Sequence, residues 1–161
     1  MRDTIAALVA IALALAAASL ATTLHVYRQR RRRARDDEER QGRTVVAELP
    51  TGDDLVLFSE DRDSFHYGKT VVAKDRIVAA RVLINGAPIA ATLSLRHPGA
   101  ASRHPTSFED RPEGIARDRW DVAIETTDGT VLVECGAIRE RVSQELARTI
   151  YDAVKRAIEA D

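Results

Sequence analysis

Residues 77–95 read IVAARVLINGAPIAATLSL, and their reading decides the fold. Asn85-Gly86 separates two apolar runs. Asn and Gly tolerate the two positive φ angles that a two-residue type I′ hairpin demands. On the far side Ile89, Ala91, Leu93 and Leu95 alternate with Ala90, Thr92 and Ser94. That period of two predicts a strand with one buried face. On the near side Ile77–Ile84 would suit a helix as well, through Ala79, Ala80 and Arg81. The hairpin signal assigns it to a strand.

A second hairpin follows the same logic. Trp120, Val122 and Ile124 alternate with Asp121, Ala123 and Glu125, Asp128-Gly129 turns the chain, and Val131, Val133 and Cys135 alternate with Leu132 and Glu134. Each strand has one apolar face. Upstream, Thr44–Leu49 and Leu55–Ser59 are short and β-rich, and Pro50-Thr51-Gly52-Asp53 between them is a turn cluster. After the polar loop Glu60–Ser64, Phe65–Tyr67 and Lys69–Ala73 flank Gly68 and read as one bulged third strand. From Arg139 to Ala160 there is no Gly or Pro. Val142, Leu146, Thr149/Ile150, Ala153/Val154 and Ala157/Ile158 form a stripe at helical spacing, so this amphipathic helix needs the strands as its partner surface. Residues 96–116 hold three prolines and two glycines with no apolar period, a loop long enough to carry function.

The N-terminal part is of another kind. Ile5–Leu24 carries no charge, and 17 of its 20 residues are Ala, Leu, Ile or Val. Twenty helical residues span roughly 30 Å, the thickness of a hydrocarbon core. His25 and Tyr27 follow at interface depth. Arg28, Arg30, Arg31, Arg32, Arg33 and Arg35 come next, and basic flanks stay on the cytoplasmic side. The expected topology has the N-terminus outside and residues 28–161 in the cytoplasm, at the inner face of the plasma membrane. A cleaved signal peptide, with Ser19-Leu20-Ala21 as its cleavage site, is the rival. A secretory signal carries its positive charge before the apolar run, however, and here it lies after. The six arginines also stand where anionic lipid headgroups lie, although setting topology is role enough for them. Residues 36–43 (DDEERQGR) read as a linker or a frayed helical extension. Ala6, Ala10, Ala14 and Ala18 form a small-xxx-small ladder that allows a homodimer through the span.

Charge follows this division. The whole chain has a net charge of −1, but residues 1–43 sum to +4 and residues 44–161 to −5. An acidic domain does not suit nucleic acid. The single cysteine excludes an intramolecular disulfide framework.

About seven strands in hairpin order closed by one amphipathic helix resembles the element order of pleckstrin-homology-like domains. The likeness in sequence texture is confined to Trp120–Ala160: strand, Asp128-Gly129 turn, strand ending Glu134-Cys135-Gly136, then helix. The resemblance implies two nearly orthogonal antiparallel sheets, with the helix capping one open end, and a binding or scaffolding role. Phosphoinositide-binding members carry basic residues in the first hairpin loop. Here Pro50–Asp54 has Asp53 and Asp54 instead, and the final helix has Tyr151 where many members have tryptophan.

Residue chemistry suggests no enzyme. Cys135 precedes a helix, which can activate a thiol, but alternation places it on the apolar face with Val131 and Val133. His97 and His104, in repeated Arg-His-Pro triplets, match no metal-ligand spacing. They and Trp120 are instead candidate partner contacts. His66, between Phe65 and Tyr67, reads as half-buried structure. Gly68-Lys69-Thr70 lacks the earlier glycine of a phosphate loop, and Ser64, Ser94 and Ser102 lack a nucleophile-elbow context.

The expected protein is therefore α+β. Residues 1–27 form a transmembrane anchor, 28–43 a polybasic then acidic linker, and 44–161 a cytoplasmic β-domain capped by its C-terminal helix. The expected role is a non-enzymatic scaffold that recruits a protein partner and needs no cofactor. The alternative is an accessory subunit of a larger membrane complex, held through the span.

Overall fold

The structure, a computed structural model, describes residues 2–51, 54–96 and 118–160. It is α+β. Helix α1 (Arg2–Arg40) precedes two antiparallel sheets, and helix α2 (Arg141–Glu159) ends the chain. The first sheet is a meander of β1 (Thr44–Thr51), β2 (Asp54–Glu60), β3 (Ser64–Tyr67) and β4 (Thr70–Ala73). The second contains β5 (Ile77–Ile84), β6 (Ala87–Leu93), β7 (Arg119–Thr126) and β8 (Thr130–Ala137), in the order β6-β5-β7-β8.

Eight strands are therefore present among the described residues, not seven. The difference lies at Gly68. Its φ of +58° lets the chain reverse between Tyr67 and Thr70, which pair across the turn, so the expected bulged strand is a hairpin. The Asn85-Gly86 hairpin forms as expected, with φ of 52° and 76° and Ile84 opposite Ala87. The second hairpin also forms, closed by Thr126 N–H donating to the Gly129 carbonyl at 2.7 Å.

The core lies between the sheets and α2. Leu49, Phe58 and Phe65 from the first sheet meet Ile77, Val122, Ile124 and Val133 from the second, and Ile150 and Val154 from α2. Phe58 and Phe65 stack with centroids 5.4 Å apart. The buried stripe of α2 is Ser143, Ala147, Ile150, Ala153, Val154 and Ile158. It is rotated from the expected one, since Val142 is 62% exposed. Small residues at 143, 147 and 153 let the helix backbone approach the sheets. Gly136 serves the same contact from the strand side. It sits at φ +113°, and a Cβ there would lie 2.5 Å from the Ser143 Oγ.

α1 is one helix from Arg2 to Arg40. Residues 36–40, left between linker and helical extension by the sequence, are helix. Its apolar part is long and apolar enough to cross a membrane, and the described residues of that part are not buried against the rest of the protein.

Candidate interaction surfaces

β6 turns its apolar row outward. The inward side chains are Ala90 and Thr92, followed by buried Ser94, and the Thr92 Oγ1 lies 2.6 Å from the Tyr151 hydroxyl of α2. Ile89 is 56% exposed, Leu93 48%, and Leu95, just beyond the strand, 94%. The period of two holds, but the larger apolar residues occupy the open face. A bulge places Ile89 as the extra residue between Val82 and Leu83 of β5. On its far side β6 has no neighbouring strand among the described residues.

The outer face of the other three strands is different in chemistry. Arg81 on β5 pairs with Glu125 on β7 at 2.6 Å. Arg119 on β7 pairs with Asp121 at 2.8 Å and with Glu134 of β8 at 2.7 Å. Charge pairing covers that surface, whereas β6 contains no charged residue at all. Pro88 and the bulge at Ile89 blunt the start of this edge, whereas its second half, Ala91–Leu93, has neither.

The second surface is the junction of α1 with the first sheet. Glu48 of β1 receives both Arg31 and Arg35, one on each carboxylate oxygen, and its side chain is only 6% exposed. One turn further, Ser59 Oγ of β2 donates to Glu38 Oε2 at 2.5 Å, and Arg43 approaches the same carboxylate at 3.4 Å. Arg31, Arg35 and Glu38 follow i, i+4, i+7 spacing and so share one face of α1. Arg28, Arg30, Arg32 and Arg33 are exposed, and none forms an ion pair with a described residue.

The other sequence candidates fall as follows. Ala14 and Ala18 are exposed on α1; Ala6 and Ala10 are in the same helix, with side chains outside the described set. His97 and His104 lie outside the described residues. Trp120 is in β7, half-buried against the core, with its indole Nε1 shielded and without an acceptor among the described residues. It belongs to a strand rather than to the loop.

Cys135 is buried in the bulge opposite Trp120 and Asp121, and burial pushes its thiol up to about 12. Such a thiol stays protonated and unreactive. His66 is half-buried with its Nε2 2.7 Å from the Asp61 carboxylate. That hydrogen bond, with those from the Asp63 and Ser64 backbone N–H groups, holds Asp61 at about 2. Lys74 donates to the Asp61 carbonyl at 2.6 Å and lies 4.9 Å from the centre of the Phe65 ring. This cluster ties the β2–β3 turn to the end of β4. Among the described residues no three His, Cys, Asp or Glu side chains gather to hold a metal.

What sequence reasoning missed is the pairing of Arg31 and Arg35 with Glu48. A basic residue four positions from another was visible. The acid that answers them is 13 to 17 residues away, on a strand, and no local pattern points to it. Comparison with known proteins found no matching protein-family model, no matching curated protein and no matching solved structure.

Proposed function

We propose that this chain is a single-pass membrane protein whose cytoplasmic β-domain is a non-enzymatic module that holds a protein partner at the inner face of the plasma membrane. The observation that carries the proposal is the outward apolar row of β6, with Ile89 and Leu93 half-exposed on a strand that has no outer neighbour among the described residues. An extended segment of a partner adds to such an edge through backbone hydrogen bonds, and its side chains pack on the apolar row. The topology rests on the arginine run after the apolar span. The pleckstrin-homology-like kinship belongs to the same reading. It is supported by the four-stranded meander and by the helix that follows the last strand across the core. The central place of β5, between β6 and β7, is a departure from simple hairpin order.

The test is site-specific photo-crosslinking of the full chain in its membrane. A photoreactive residue at Leu93 should give an adduct of one discrete protein mass, and one at Gln144, on the exposed face of α2, should not. No protein adduct at Leu93 would end the reading. Adducts from Ala14 and Ala18, with none from Leu93, would favour the accessory subunit held through the span.

A further inference from the structure

We infer that the six arginines after the span divide into two groups with different partners: Arg31 and Arg35 clamp the β-domain, while Arg28, Arg30, Arg32 and Arg33 bind anionic lipid headgroups. This inference rests on the membrane reading above and specifies the lipid that the site takes.

The division follows from geometry. Arg31 and Arg35 end on the shielded Glu48 carboxylate, which occupies their charge although each side chain stays about half exposed. Arg30 and Arg33 are exposed on the far side of the helix, and Arg28 and Arg32, on or beside the clamped face, are exposed as well and reach no described acid of the β-domain. Arg28 is four residues past Leu24 and Arg33 nine, so they stand roughly 6 and 14 Å beyond the end of the apolar run along a continuous helix. The headgroup layer occupies roughly the first 5–8 Å, and a long arginine side chain reaches back to it from the next turn. Four unneutralised guanidinium groups at that height are complementary to phosphodiester anions, and guanidinium binds them with two parallel hydrogen bonds.

Of the four acids that follow, two are already engaged, and Asp36 and Glu39 are exposed and form no ion pair with a described residue. Glu38 is engaged by Ser59 and Arg43, and Asp37 pairs with Arg40 at 2.9 Å. The clamp also has a geometric consequence. Arg31 is seven residues past Leu24, so β1 is held about 10 Å from the end of the apolar run. The lipid-bound arginines and the clamped domain then lie on the same two turns of helix.

Reconstitution of the full chain in phosphatidylcholine vesicles tests the division. Spin-labelled phosphatidylglycerol and spin-labelled phosphatidylcholine report which lipid associates with the protein. The wild-type chain should prefer phosphatidylglycerol several-fold, since one arginine at the surface favours an anionic lipid by about five-fold. R28Q/R30Q/R32Q/R33Q should lose the preference while amide exchange in β1 stays as in wild type. R31Q/R35Q should keep the preference while exchange in residues 31–40 and in β1 accelerates. No preference in the wild-type chain, a preference retained by the fourfold variant, or an equal loss in R31Q/R35Q would each overturn the inference. Carbonate extraction separates this failure from that of the underlying reading. A chain that resists extraction but shows no lipid preference refutes the division alone, and a chain that is released refutes the membrane reading with it.

Discussion

Gly136→Ala is the most demanding test of how α2 sits on the sheets. Two costs combine at this position. The backbone stands at φ +113°, where an L side chain is strained. Holding a non-glycine residue in such a region costs about 1–3 kcal/mol. The added Cβ would also lie 2.5 Å from the Ser143 Oγ and 3.3 Å from the Ser143 Cβ. Ser143 is 2% exposed in the first turn of α2, so it has little room to move aside. Overpacking of this kind costs about 1–3 kcal/mol. The expected loss is therefore about 2–6 kcal/mol, a large share of the roughly 5–15 kcal/mol available to a domain. Ser143→Ala separates the two costs, because it removes the closest atom and leaves the backbone strain. Alone it forfeits one hydrogen bond, to Glu140 at 3.2 Å, at about 1 kcal/mol. Combined with Gly136→Ala it should recover about 1–2 kcal/mol relative to the sum of the single losses. Urea unfolding of the full chain in detergent, followed by the fluorescence of Trp120, supplies the numbers; Trp120 is the only tryptophan and packs against the core. A Gly136→Ala midpoint equal to wild type, or a double variant with no recovery, would refute the close approach of α2.

Three further outcomes are expected. Glu48→Gln removes the charge that receives both arginines; because each arginine is about half exposed, the loss is set at about 1–2 kcal/mol, read as faster amide exchange in residues 31–40 with exchange in residues 5–24 unchanged. Cys135, held up to about 12 by burial, should not react with maleimide at pH 8 until urea is added, and labelling of the native chain would contradict its place in the core. Asp61 is lowered from 3.8 to about 2, so its stabilising contribution is complete above pH 4 and fades as the pH falls toward 2; Asp61→Asn should be less stable at neutral pH and lose less than wild type across that interval.

The parts of the fold that were legible are those that local chemistry dictates. Asn85-Gly86 specified its hairpin because few dipeptides adopt two positive φ angles, and residues 141–159 specified a helix by spacing and by the absence of breakers. Gly68 carried equal information, but a lone glycine between short apolar runs fits a bulge as well as a turn, and only pairing of Tyr67 with Thr70 decides it. The alternation in β6 was also legible, yet not its direction. Large apolar residues normally face inward, and here the inward positions are held by Ala90 and Thr92, with Ser94 just beyond the strand, while Ile89 and Leu93 face outward. The clamp on Glu48 was not legible, since it joins a helix to a strand through contacts that exist only after folding.

The placement of the domain relative to the bilayer underlies every functional statement made above, and one labelling measurement tests it. Thr130 is exposed at the start of β8, and Cys135 is a silent background thiol. Thr130→Cys in the full chain is exposed to a membrane-impermeant maleimide in intact cells and again after permeabilisation. The account predicts no labelling in intact cells and full labelling once the membrane is opened, with the protein retained in the membrane fraction after carbonate. Labelling from outside, or release by carbonate, would contradict it.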